Sequence, residues 1–169
     1  MGKLVQVATN TVSSAVASVT LTGIDSDDVY MVAVNNVLPD TDSASLLARF
    51  TVSGTADTSS NYDRAYKNLR GDSAFSNINY TNNAYVDLGT LGTAGQEMSN
   101  AIQYLYNFNN ASEYSFWSIE ASNRNNSGHL RGFQGGGVLT VAQATDGVSY
   151  FMTSGNITSG TFKLYGLKK

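Results

Sequence analysis

A chain of 169 residues with a formal charge of -3 has the length of one domain, and its 41% apolar content is enough to bury a core. Ten Tyr, seven Phe and one Trp at so low a net charge exclude a disordered chain, and a pI near 4.9 with Lys168-Lys169 as the only adjacent basic pair argues against a nucleic-acid groove. No run of 18 apolar residues offers a membrane-spanning helix, and the absence of cysteine removes disulfides and thiolate chemistry.

In chain order the sequence reads as all-β. Its polar content is 20 Ser, 16 Thr and 17 Asn against three Glu and five Lys, so the residues that build solvated helix faces are scarce. Short apolar segments run at Leu4 to Ala8, Ala15 to Leu21 and Val29 to Val37; the start Met1-Gly2-Lys3-Leu4-Val5-Gln6 turns polar too early for a secretory leader. Val29 to Val34 is apolar at every position, which predicts a central strand whose outer face is covered by a loop or a neighbouring subunit. Pro39 marks the corner between that strand and the next. From Ala44 to Ser53 the pattern alternates, with Ala44, Leu46, Ala48, Phe50 and Val52 on one face, so Phe50 is expected in the core.

The stretch from Gly54 to Gly95 holds one strand candidate, Tyr62 to Leu69, and otherwise reads as a long loop or arm that reaches a neighbour. Gly95 to Leu105 admits a short helix, but a strand from Ala101 fits the Tyr104, Tyr106 and Phe108 that follow. Further strands are expected at Tyr114 to Ala121, Val138 to Ala142, Val148 to Thr153 and Thr161 to Leu167. Nine or ten short strands predict an antiparallel two-sheet sandwich, jelly-roll-like, in a single domain spanning 1–169.

Few residues suggest catalysis. His129, the only histidine, lies in a turn-like Asn125-Asn126-Ser127-Gly128 context without a nucleophile motif. Asp25, Asp27 and Asp28, and Asp40 with Asp42, lack the spacing of a calcium loop and read as turn builders, so no metal and no cofactor are expected. Glu113 and Glu120 fall at opposite ends and faces of one strand, which is the wrong placement for glycoside cleavage. Gly132-Phe133-Gln134-Gly135-Gly136-Gly137 reads as a bulge or a hairpin turn, or as a place where another chain comes close. Tyr62, Tyr66, Tyr80, Tyr85 and Trp117 are available as stacking platforms or as core and interface anchors.

Three segments carry a family likeness: Asn36 to Phe50, with Asn36-Val37-Leu38-Pro39-Asp40 running into Leu46-Leu47-Ala48-Arg49-Phe50, then Asn61-Tyr62-Asp63-Arg64-Ala65-Tyr66, then Gly155-Asn156-Ile157-Thr158-Ser159-Gly160-Thr161-Phe162-Lys163-Leu164-Tyr165-Gly166-Leu167. In content and order they resemble virion proteins of tailed bacteriophages, especially phages of marine bacteria and cyanobacteria. The resemblance implies a β-sandwich serving as a capsid decoration or a head or tail-fibre module, located in the virion, with no catalytic motif and with packing and surface roles for Arg49 and Tyr62. No heptads or collagen-like period marks a fibre shaft, which favours a compact decoration or adaptor. The expected partners are phage capsid or tail proteins and further copies of the chain, as a homo-oligomer or lattice-bound subunit, with no nucleic acid and no membrane. The expected contacts are Tyr30, Val32, Val34, Tyr62, Tyr66, Tyr80 and Tyr85. The alternative is a carbohydrate-binding module for host-surface glycans.

Overall fold

Alternating and β-branched segments pair into sheet throughout the computed structural model, which describes residues 3–26 and 28–168 and contains no helix among them. Thirteen strands form, more than the nine or ten expected: β1 (Lys3–Val12), β2 (Ser18–Thr22), β3 (Tyr30–Pro39), β4 (Ser45–Val52), β5 (Thr55–Ala56), β6 (Tyr62–Arg70) and β7 (Ser76–Asn83), followed by β8 (Val86–Thr90), β9 (Ser99–Tyr106), β10 (Tyr114–Arg124), β11 (Leu130–Ala142), β12 (Gly147–Met152) and β13 (Ile157–Lys168). Eight of them make one antiparallel sheet in the order β1-β13-β3-β9-β10-β11-β6-β7. The second sheet runs β2-β12-β4-β5, with β8 also paired to β4. The result is the antiparallel sandwich predicted from composition and period.

Pro39 closes β3 in the larger sheet, and the chain re-enters as β4 in the smaller one, so the proline does mark a sheet-to-sheet corner. On β4, Leu46, Ala48 and Phe50 point inward and are almost fully buried, as the alternation required. Phe50 meets Tyr62 of β6 and Phe108 edge-on, at centroid distances of 5.5 and 4.7 Å. Tyr150 of β12 packs on Phe162 of β13 at 5.1 Å and donates its hydroxyl to Gln103 of β9, a buried polar link between the sheets. Burial pushes the Tyr150 hydroxyl pKa up, so it stays a neutral donor.

Two sequence expectations need correction. The stretch from Gly54 to Gly95 is mostly strand, holding β5, β6, β7 and β8. Six of its fifteen Asn, Ser and Thr lie on β7, an edge strand exposed on both faces, where no apolar period develops. The glycine-rich segment sits inside β11, while the turn falls at Asn125 to His129, where the Asn125 side-chain carbonyl accepts from the Ser127 and His129 amides. Within the chain those glycines let neighbouring strands pack closely: a side chain at Gly137 would collide with the Asp63 carbonyl and come within 2.6 Å of the Trp117 ring nitrogen.

Turns and corners hold three of the acidic residues with lowered pKa. Asp40 accepts from the Asn156 backbone and side chain and from Thr41, which locks the β3–β4 corner to the β12–β13 turn and lowers its pKa. Asp72 is lowered by hydrogen bonds from Arg131 and Arg70. Burial alone would raise Asp57, but Ser59 and Gln143 donate to it and leave it lowered. Burial raises Asp87 despite the Gly89 amide and Arg64, so it opposes these three. A lowered carboxylate stabilises the fold above its unfolded pKa, and that contribution disappears as pH falls through the folded one. Melting temperature is therefore expected to be level from pH 7 to 5 and to drop below about pH 4. Thermal melts by circular dichroism check this, and a level or rising value down to pH 2 contradicts it.

Candidate interaction surface

The outward face of the eight-stranded sheet is fixed by what lies inward. On β9, Ala101, Gln103 and Leu105 are buried, so Ile102, Tyr104 and Tyr106 face out; on β10, buried Ser115, Trp117 and Ile119 leave Phe116, Ser118 and Glu120 outward. Register then lines these residues up across the strands. One row runs from Tyr165 through Met31, Tyr104, Ser118 and Gly136 to Ala65. Beside it on one flank lie Tyr106, Phe116, Val138 and Asp63, and on the other Ala33, Ile102, Glu120 and Gln134.

Large apolar groups are exposed along this face: Ile102 at 44%, Tyr104 at 43% and Phe116 at 43% of their surface. Between them the floor is made of small residues. A depression of about 550 Å³ opens over Ala65, Gly136 and Gly137, walled by Phe116 and Val138 and bordered by the polar Asp63, Asn79 and Thr81. Charge is confined to the flanks and ends, where Glu120 accepts from Gln134 and Lys67 donates to Asn77. The row through Tyr104 carries none.

Most residues first singled out as contacts lie elsewhere. Tyr30, Val32, Val34, Tyr62 and Tyr66 are buried between the sheets and cannot meet a partner. The reason is phase. In Val29 to Val34 both faces are apolar, so the sequence could not say which set points inward, and the outward set proves to be Met31 and Ala33. Tyr62 accepts from the Phe50 amide and donates to the Asp57 carbonyl, which makes it a structural pin. Tyr80 is exposed and Tyr85 partly so; both rings lie near the buried Arg64 guanidinium, at 4.7 and 5.5 Å. Trp117 is buried and is no platform.

Tyr104 and Phe116 were missed as surface residues, although β10 carried the signal: Phe116 shares its face with Ser118 and Glu120, whereas Trp117 and Ile119 form the more apolar set. The chain matches no protein-family model and no curated protein. Among the described residues, no group of three or more His, Asp or Glu side chains is placed to hold a metal ion, and Asp27 of the first acidic cluster lies outside them. In that cluster, Asp25 accepts the Tyr30 hydroxyl at 2.8 Å and Asp28 accepts from Ser26. His129 sits in the β10–β11 turn with Nδ1 3.4 Å from Asp72, which already binds Arg70 and Arg131. Glu113 precedes β10, and Glu120 stands on the outer face.

Proposed function

We propose that this chain is a non-enzymatic structural protein of a phage particle, a surface decoration, cement or fibre-type module that seats the outer face of its eight-stranded sheet on a neighbouring virion protein. The observation that carries the reading is the uncharged row through Met31 and Tyr104, flanked by exposed Ile102 and Phe116, on one broad sheet face. Charged groups are depleted and aromatic groups enriched in the centre of protein interfaces, and this face has that composition. Strands about 4.8 Å apart give the six that carry the row from Tyr165 to Ala65 a span of roughly 24 Å, and three rows of side chains cover roughly 20 Å along the strands. The patch therefore offers at most roughly 500 Å², below the ~800 Å² per partner of an ordinary stable free complex, as suits a module held in place on a particle.

Apolar burial is insensitive to screening, whereas surface ion pairs weaken in salt. Particles sedimented across a series up to about 1 M NaCl are expected to retain the chain, as quantified on gels; release by salt alone contradicts the reading. A second reading rests on the depression beside Phe116, where Asp63, Asn79 and Thr81 surround an aromatic wall in the manner of a saccharide site. Micromolar binding of a defined glycan, lost in Phe116→Ala, by a protein absent from every particle would favour that reading.

A further inference from the structure

Strand edges expose unpaired amides and carbonyls, and proteins ordinarily guard them with charges, proline, bulges or short length. Three of the sheet edges follow this rule. β5 has two residues and β2 five, while β1 begins with Lys3 and carries a bulge between Gln6 and Ala8. β7 does not. It pairs only with β6 among the described residues, it is exposed along nearly its whole length, and no charged residue or proline occurs between Asp72 and Asp87. Its irregularity is confined to the Asn82 end, where φ is 55°, which leaves Ser76 to Thr81 as an extended, open edge.

We infer that β7 is a self-pairing edge, joining the same strand of a second copy antiparallel about a two-fold axis at Asn79. The sequence is complementary to itself in that register. Asn77 and Asn79 pair with Lys67 and Ala65 and so share the outer face, whereas Ile78 and Tyr80 pair with Tyr66 and Arg64 on the inner side. Antiparallel self-pairing centred on Asn79 sets Asn79 opposite Asn79, Asn77 opposite Thr81 and Ile78 opposite Tyr80. Amides and a hydroxyl then meet on one face, and an aromatic meets a β-branched residue on the other, both favourable cross-strand pairs. No like charges meet. Pairing β7 with β1 of another copy would instead be head-to-tail and open-ended. Two six-residue edges bury less than the roughly 1,200 Å² of a stable free complex, so the pairing is weak in dilute solution and grows where copies are crowded. It uses the sheet edge and is independent of the outer-face reading above.

The chain has no cysteine, so a single one reports its own neighbourhood. Directly opposed residues in an antiparallel pair have Cβ atoms about 4.5–5.5 Å apart, within reach of a disulfide after small adjustment. Under mild oxidation, purified Asn79→Cys is expected to give severalfold more disulfide dimer than Asn77→Cys, which is equally exposed on the same strand face but lies far from its counterpart. In sedimentation equilibrium, the unmodified protein is expected to dimerise with rising concentration, while Asn79→Lys, which sets two ammonium groups face to face, stays monomeric. Circular dichroism and Trp117 emission verify that each variant is folded. Equal cross-linking of the two cysteine variants, a protein monomeric at every concentration, or preferential Asn79→Cys with Thr9→Cys heterodimers in a mixture would each overturn the assignment.

Discussion

Phe50→Ala is expected to lower the free energy of unfolding by about 3–5 kcal/mol, the range for removing a large aromatic from a packed core. Phe50 is 2% exposed and bridges the two sheets, with edge-on contacts to Tyr62 and Phe108. Alanine removes the transfer free energy of the ring and leaves a cavity that two sheets held by their own ladders cannot close. Both partners lose their packing at once, and Tyr62 is the residue whose hydroxyl accepts from the Phe50 amide, so its pin on β4 loosens as well. Urea unfolding measures the loss. A value below about 1 kcal/mol would mean that the inward phase of β4 is misplaced.

Gly137→Ala is expected to cost about 2–3 kcal/mol, through overpacking instead of a cavity. Gly137 lies between β10 and β6, opposite Trp117 on one side and Arg64 on the other. A methyl group there meets the Asp63 carbonyl and the Trp117 indole, so either β11 draws away from β6 or the indole leaves its site. The chain has one tryptophan, and it is buried, so its emission reads the displacement directly as a red shift. Gly95→Ala is the control: its methyl meets open space, and the expected change is below about 1 kcal/mol. Equal stabilities and spectra for the two variants would contradict the close packing of Trp117 on Gly137.

The same physics explains what the sequence made legible. A strand with one apolar and one polar face declares its orientation, and β4 and Phe50 were placed correctly for that reason. β3 is apolar on both faces, so its existence was plain and its phase was not; Tyr30, Val32 and Val34 went to the core and Met31 and Ala33 to the surface. β6 alternates in burial from Tyr62 to Tyr66, yet its inward set includes Arg64, a charged residue tolerated there because the Asp87 carboxylate lies 3.8 Å away, tyrosine rings surround it and the Tyr85 carbonyl accepts from it. β7 left no periodic trace, since a strand that is polar and exposed on both faces is paired through its backbone alone. The outer surface was least legible of all. Tyr104 is separated from Phe116 by twelve positions, and only the β9–β10 register, which pairs Tyr104 with Ser118 and Tyr106 with Phe116, brings them onto one patch.

That patch is the centre of the functional proposal, and its most direct test is an electron-microscopic reconstruction of the whole particle at a resolution that traces side chains. The account predicts a copy of this chain on the particle with Met31, Ile102, Tyr104 and Phe116 covered by a neighbouring virion protein. A particle that lacks the chain, or one in which it is present with those four side chains facing solvent, would contradict it.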